Sequence, residues 1–184
     1  NHRIQCSPGI ADATRNIQAT LAAAGMQAEL LDYPARTGVS WWSQASFPEW
    51  SCRSAELVLL EGGRRTRLCS FADSKFSLIQ RSAATPLEGV ATKLVLVENA
   101  ADPASYAALD VRGKLVFSRG EVPEIAAVAI GQFGAAGIVL DTMRDHSPVR
   151  DYFSLPDGRL YLSFWPGDFT KHKARGFVLT PRQG

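Results

Sequence analysis

Residues 114–140 read KLVFSRGEVPEIAAVAIGQFGAAGIVL, and this stretch decides the fold. Lys114 to Ser118 is an apolar run introduced by Gly113 and reads as a strand. Pro123 sits where a helix can begin, and Ile125 to Phe133 continues it with alanine-rich composition suited to close packing. Gly134 ends the helix, and Gly137-Ile138-Val139-Leu140 reads as a buried strand. Strand, helix and strand within about 30 residues make a βαβ-type unit, whose crossover implies parallel pairing.

Working upstream, Ala55 to Glu61 reads as a strand that turns at Gly62-Gly63, with Arg65 to Cys69 as its hairpin partner. Phe76 to Ile79 is short and ambiguous. Val90 to Val97 suits a strand with a buried end, and Pro103 to Leu109 a short helical turn. Downstream, residues 144 to 175 hold prolines, glycines and aromatics in a long loop region, with Leu160 to Phe164 as a strand. Phe177-Val178-Leu179 is the last strand.

The first third of the chain has a different character. Ser7-Pro8 is a good helix entry, Ser as N-cap and Pro at the first helical position. Ile10, Ala13, Ile17, Leu21 and Ala24 recur at spacings of three and four, so residues 8 to 25 read as an amphipathic helix closed by Gly25. Ala28 to Tyr33 reads as a strand stopped by Pro34. Between 35 and 53, Trp41, Trp42, Phe47, Pro48 and Trp50 sit among small polar residues without a period. Rings of this size are costly to leave in water, so the segment is expected to cover a core edge or an interdomain seam. Trp41, Trp42 and Trp50 are the candidates for substrate or domain contact.

Composition narrows the function classes. The chain of 184 residues is 46% hydrophobic and 21% charged, ordinary globular usage, with a net charge of +2. So small an excess gives no reason to expect nucleic acid as a partner. No apolar run reaches the length of a membrane span. Asn1 at the start reads either as what a removed signal leaves or as a position inside a longer chain, and Pro181-Arg182-Gln183-Gly184 at the end reads as an interruption. Cys6, Cys52 and Cys69 are too scattered for a metal knuckle and allow one disulfide at most, Cys52 with Cys69 being the favoured pair.

Catalytic patterns are missing. The histidines are His2, His146 and His172, and no H-E-x-x-H helix exists. His146 lies near Asp141, Asp145 and Asp151, a grouping that reads as a solvated acidic loop rather than a metal site. His172 stands among Lys171, Lys173 and Arg175, which disfavours binding a cation. Gly38-Val39-Ser40-Trp41-Trp42 lacks the final glycine of a nucleophile elbow. Gly131, Gly134 and Gly137 have the wrong spacing for a dinucleotide fingerprint and read as packing glycines. Arg64, Arg65 and Arg67 read as a solvated hairpin tip.

Gly89 to Val97, then Tyr106-Ala107-Ala108-Leu109-Asp110-Val111-Arg112-Gly113-Lys114-Leu115-Val116, the alanine-rich helix and Gly134-Ala135-Ala136-Gly137-Ile138-Val139 together resemble a protease-associated domain. The resemblance covers roughly residues 54 to 180. It implies an α+β fold, barrel- or sandwich-like with flanking helices and one βαβ-type unit, and no catalytic residues. His2-Arg3-Ile4-Gln5, Ser7-Pro8-Gly9, the amphipathic helix and the strand after it resemble the opening of a co-catalytic zinc exopeptidase of the aminopeptidase and glutamate carboxypeptidase family. The expected organisation is a partial peptidase-like region at 1–36, an aromatic connector at 37–53 and a protease-associated domain at 54–184.

The two resemblances in this order imply a non-catalytic accessory region of an exported zinc exopeptidase. It would frame the substrate cleft for peptides or mediate protein contacts. The zinc and its His, Asp, Glu, Asp, His ligands would belong to a peptidase domain of the same polypeptide, with no cofactor in this chain. A protein-binding module unconnected with peptidases is the second reading, and a hydrolase with an unfamiliar site a third. The helix at 8–25 is expected to pack on the aromatic segment at 41–50 or in a homodimer.

Overall fold

Ser7 accepts a hydrogen bond from the Ile10 N–H and Pro8 follows it, so α1 (Pro8–Ala23) starts where its cap and its proline dictate. It stops at Gly25, where the Gly25 N–H reaches Ala22 O and the Met26 N–H reaches Leu21 O, the pair of bonds that closes a helix through a left-handed glycine. The computed structural model describes residues 7–165 and 171–184. Cys6 and the His2–Gln5 stretch lie outside the described residues. Two compact units divide between Arg53 and Ser54.

In the first unit, residues 28–33 do not form the expected strand. A strand needs a ladder partner, and among the described residues of this unit the only ladder is the two-residue pairing of β1 (Ser40–Trp41) with β2 (Gln44–Ala45). The Ala28 carbonyl is instead met by the Gln18 side chain at 3.0 Å. None of residues 7–53 is buried, α1 included. The expected packing of α1 on the aromatic segment therefore encloses no side chain fully: Leu21 is half-buried, and Ile17 on the apolar stripe is 57% exposed.

The second unit is a mixed α+β structure. β3 (Glu56–Glu61) and β4 (Arg64–Ser70) form the expected antiparallel hairpin, pairing Glu61 with Arg64. Gly62 and Gly63 both have positive φ, as a two-residue hairpin turn requires. β5 (Leu94–Leu96), β6 (Leu115–Ser118), β7 (Gly137–Leu140) and β8 (Arg175–Val178) make a four-stranded sheet in that order, parallel throughout. Between β6 and β7 runs α2 (Val122–Ile125), which widens into a π-helix over Ala126–Gln132.

Side chains alternate across the sheet, and each face has its own cover. Val116, Ile138, Leu140 and Val178 meet Val122, Ile125, Val128 and Ala129 of the helical crossover. On the opposite face, Val139, Leu179 and Phe177 meet Leu57, Leu68 and Cys69 of the hairpin. All four residues of β7 are buried, which explains the unbroken apolar run. Cys69 is a free thiol, so the favoured Cys52–Cys69 disulfide does not form. β4 carries Cys69 into this apolar layer, and burial pushes its thiol up to about 11.

Leu160–Phe164 does not become a regular strand. Its ladder is a single β-bridge, Gln80 to Ser163, with the Gln80 N–H on Leu162 O at 2.9 Å and the Phe164 N–H on Gln80 O at 3.0 Å. The Leu78–Gln80 segment lies between it and β8, with the Ile79 N–H on Gly176 O at 3.0 Å. The sheet thus continues past β8 as two irregular segments.

At Gly137 the β8 backbone passes so close that a Cβ would collide with the Arg175 carbonyl. Gly137→Ala should therefore cost about 1–3 kcal/mol, because backbone must shift. Gly131, whose Cβ would meet only Ala126 O at 3.8 Å, should accept alanine with a gain of up to about 1 kcal/mol. Urea unfolding of both variants checks the pair.

Candidate functional site

In a parallel sheet the loops leaving the carboxyl ends of the strands converge on one edge, where ligand sites concentrate. β6 delivers Arg119 and Gly120 to that edge, and β7 delivers Asp141 and Thr142. Arg119 grips Asp141 with two bonds, Nε to Oδ1 at 3.2 Å and Nη2 to Oδ2 at 2.6 Å. Asp141 is only 1% exposed while the Arg119 side chain is half-exposed, so the anion is dry and the cation reaches water. Two parallel N–H bonds to one carboxylate fix angle as well as distance.

Tyr152 completes the knot from the following loop. Its ring lies 3.9 Å from the Arg119 guanidinium carbon, and its hydroxyl donates to the Asp141 carbonyl oxygen. Thr142 Oγ1 accepts from the Gly120 N–H and donates to the Gly120 carbonyl, both at 2.9 Å. The bond to Asp141 raises the Arg119 pKa. Burial, and then Asp141, raise that of Tyr152. Gly184 lies against the Asp141 carboxylate so closely that a side chain there would collide.

The groups of this knot satisfy one another, so their work is positional. They tie the loop at 143–155 to the sheet, and that loop holds Val149, Phe153 and Leu155 out in water at 90%, 64% and 44% exposure. The sequence reading passed over Arg119 and Tyr152. The position of Arg119 directly after a parallel strand was the available signal, whereas nothing local marked Tyr152. Within the loop, the His146 N–H donates to Arg150 O at 2.7 Å. No three His, Cys, Asp or Glu side chains converge among the described residues.

The tryptophans fall in the first unit. Trp41 is half-buried, donates Nε1–H to Pro34 O at 3.4 Å and meets the Tyr33 ring edge-on at 4.9 Å. Trp42, in the β1–β2 turn with φ +52°, lies 5.9 Å from the same Tyr33 ring and is 89% exposed. Trp41 and Trp42 thus share Tyr33, while Trp50 is half-buried. Of the three, Trp42 is the one most available to a second surface. No helix among the described residues is long and apolar enough to cross a membrane. Comparison of the chain with protein-family models, curated proteins and solved structures finds no match.

Removing Arg119 would strand a dry carboxylate. Arg119→Ala should lower stability by about 3 kcal/mol, and Tyr152→Phe, which deletes a single hydroxyl bond, by about 1 kcal/mol. Denaturant titration of the two single variants and the double variant reads both the losses and their coupling.

Proposed function

We propose that this chain is a non-catalytic accessory region of a zinc-dependent exopeptidase, an aminopeptidase in preference, in which residues 54–184 form a protease-associated domain. The observation that carries the reading is the contrast between the two units. The second encloses a continuous core around β6, β7 and β8. The first orders an amphipathic helix and a tryptophan-rich turn yet buries none of its described residues. Ordering backbone costs about 1–2 kcal/mol per residue, and apolar side chains offset that only when they leave water. Ile10, Ile17, Leu21 and Trp42 therefore suit a surface supplied by further polypeptide, the role that residues 1–36 have as the beginning of a peptidase domain.

In this reading the knot of Arg119, Asp141 and Tyr152 presents the 143–155 loop toward the substrate cleft, where its exposed Val149 and Phe153 limit which peptides enter. In this reading the zinc, its ligands and its chemistry belong to the peptidase domain. The irregular segments past β8 are compatible with the partial wrap of a barrel-like protease-associated fold. A stand-alone protein-binding module is the second reading. What favours it is that residues 54–184 close a core by themselves.

Purified alone, the chain should not hydrolyse leucine p-nitroanilide. A polypeptide carrying it together with the proposed peptidase domain should, with activity lost to chelator and restored by zinc. Chelator-sensitive hydrolysis by the 184-residue chain itself overturns the reading. In the longer polypeptide, Ile17→Glu combined with Leu21→Glu should cost about 2–5 kcal/mol, as burial of two aliphatic side chains implies. In the isolated chain the same pair should change stability by less than about 1 kcal/mol. Equal effects in both settings would favour the stand-alone module.

A further inference from the structure

The two lateral sides of the parallel sheet end differently. Beyond β8 the segments Leu78–Gln80 and Leu160–Phe164 carry the ladder on. Beyond β5, among the described residues, no strand or bridge pairs. Lys93 O accepts from the Leu115 N–H at 3.0 Å, and the Val97 N–H donates to Phe117 O at 2.9 Å, so these residues turn their backbone toward β6. By the alternation of a strand, Leu94 and Leu96 turn their N–H and C=O groups outward. An open row of this kind is a template for another strand. Proteins blunt such rows with proline, charge or a bulge, and Leu94-Val95-Leu96 has none of the three.

The side chains here are uncovered as well. Leu94 and Leu96 pair with Leu115 and Phe117 in the ladder and share their face of the sheet. Leu115 and Phe117 belong to the apolar layer that the β3–β4 hairpin forms with Leu57 and Leu68. Leu94 is nevertheless 43% and Leu96 62% exposed. The hairpin roof therefore stops at β6. Val95 turns the other way, against the core beneath the helical crossover. An open backbone and two wet leucines on one strand call for an extended segment that brings apolar side chains of its own.

We propose that the open side of β5 binds the same side of β5 in a second copy of this chain, antiparallel about a two-fold axis at Val95, joining the two sheets into one. In an antiparallel pair, residues with outward backbone groups stand opposite residues of the same kind. Centred on Val95, the pairing sets Leu94 of each copy opposite Leu96 of the other, with both N–H···O bonds exchanged in each pair. The leucines of both copies then meet on one face. Centring it on Leu96 would set Leu94 against Glu98, and centring it on Leu94 would set Leu96 against Thr92. Charge agrees with this arrangement. Lys93 and Glu98 flank the strand, and antiparallel pairing brings Lys93 of one copy to the end that carries Glu98 of the other. Parallel pairing would bring like charge to like and would not close on itself. Strands this short bury little area, so the association belongs to the weak and reversible class. The inference places the contact on β5 rather than on α1. It stands on residues 54–184 alone and does not depend on the peptidase reading.

The test is sedimentation equilibrium of the 184-residue chain from about 10 μM to about 1 mM, the range that reads weak association. The mass should rise from that of one chain toward that of two and no further. Leu96→Lys, at an exposed position, should raise the dissociation constant about tenfold or more with the urea midpoint retained. Lys93→Glu should weaken association several-fold at low salt, and Lys93→Glu combined with Glu98→Lys should restore it. Ile17→Glu, on α1, should leave it unchanged. A mass that stays at one chain throughout, or that grows past two, would overturn the proposal. So would a dimer indifferent to Leu96→Lys, one lost equally with Ile17→Glu, or one that the exchanged pair of charges does not restore.

Discussion

A parallel strand with neighbours on both sides has no wet face, and β7 imposes that condition on everything around it. Ile138, Val139 and Leu140 are fully buried, so each face of the sheet must be roofed. The helical crossover roofs one and the β3–β4 hairpin the other. The same strand sets a spacing limit, since β8 comes so near at Arg175 that position 137 has no room for a side chain. Cys69 shows the force of the constraint. As part of the hairpin roof its thiol belongs to the apolar layer, where burial keeps it protonated and no disulfide engages it.

The two edges of the sheet have become different surfaces for a physical reason. At the carboxyl edge a dry carboxylate is held by an arginine whose charge remains partly in water, and a tyrosine locks both to the following loop. A buried pair of this kind contributes little net stability, because desolvation offsets most of the attraction. Its effect is specificity of placement, and the 143–155 loop inherits that placement. At the amino edge Lys173 and Arg175 stand beside Ile130 and Ala136, between the end of the π-helix and the entry to β8.

Much of this was legible in the sequence, and the exceptions share a cause. The β3–β4 hairpin, the βαβ unit and α1 were readable because each is specified locally, by Gly62-Gly63, by Gly134 and Gly137, and by Ser7-Pro8 with Gly25. Residues 28–33 and Leu160–Phe164 carry the same apolar composition as true strands. Their fate depended on whether a partner lay alongside, which composition does not encode. The π-helical widening at Ala126–Gln132 was invisible because spacings of three and four over two turns suit either helix. The Arg119–Asp141–Tyr152 knot joins positions 22 and 11 residues apart, across loops whose course no local pattern fixes.

The first unit buries none of its described residues, and the proposal that further polypeptide completes it stands or falls on whether α1 is stable without that polypeptide. Native-state hydrogen exchange on the isolated chain tests it most directly, because protection reports the free energy needed to open each element. The account predicts that amides of α1 exchange within about tenfold of unfolded rates, since a helix of this length is marginal without tertiary packing. Those of β6 and β7 should be protected at least about a thousandfold more, near the limit set by global unfolding. Protection of α1 equal to that of β7 would contradict the account and make residues 1–53 a self-sufficient part of the structure.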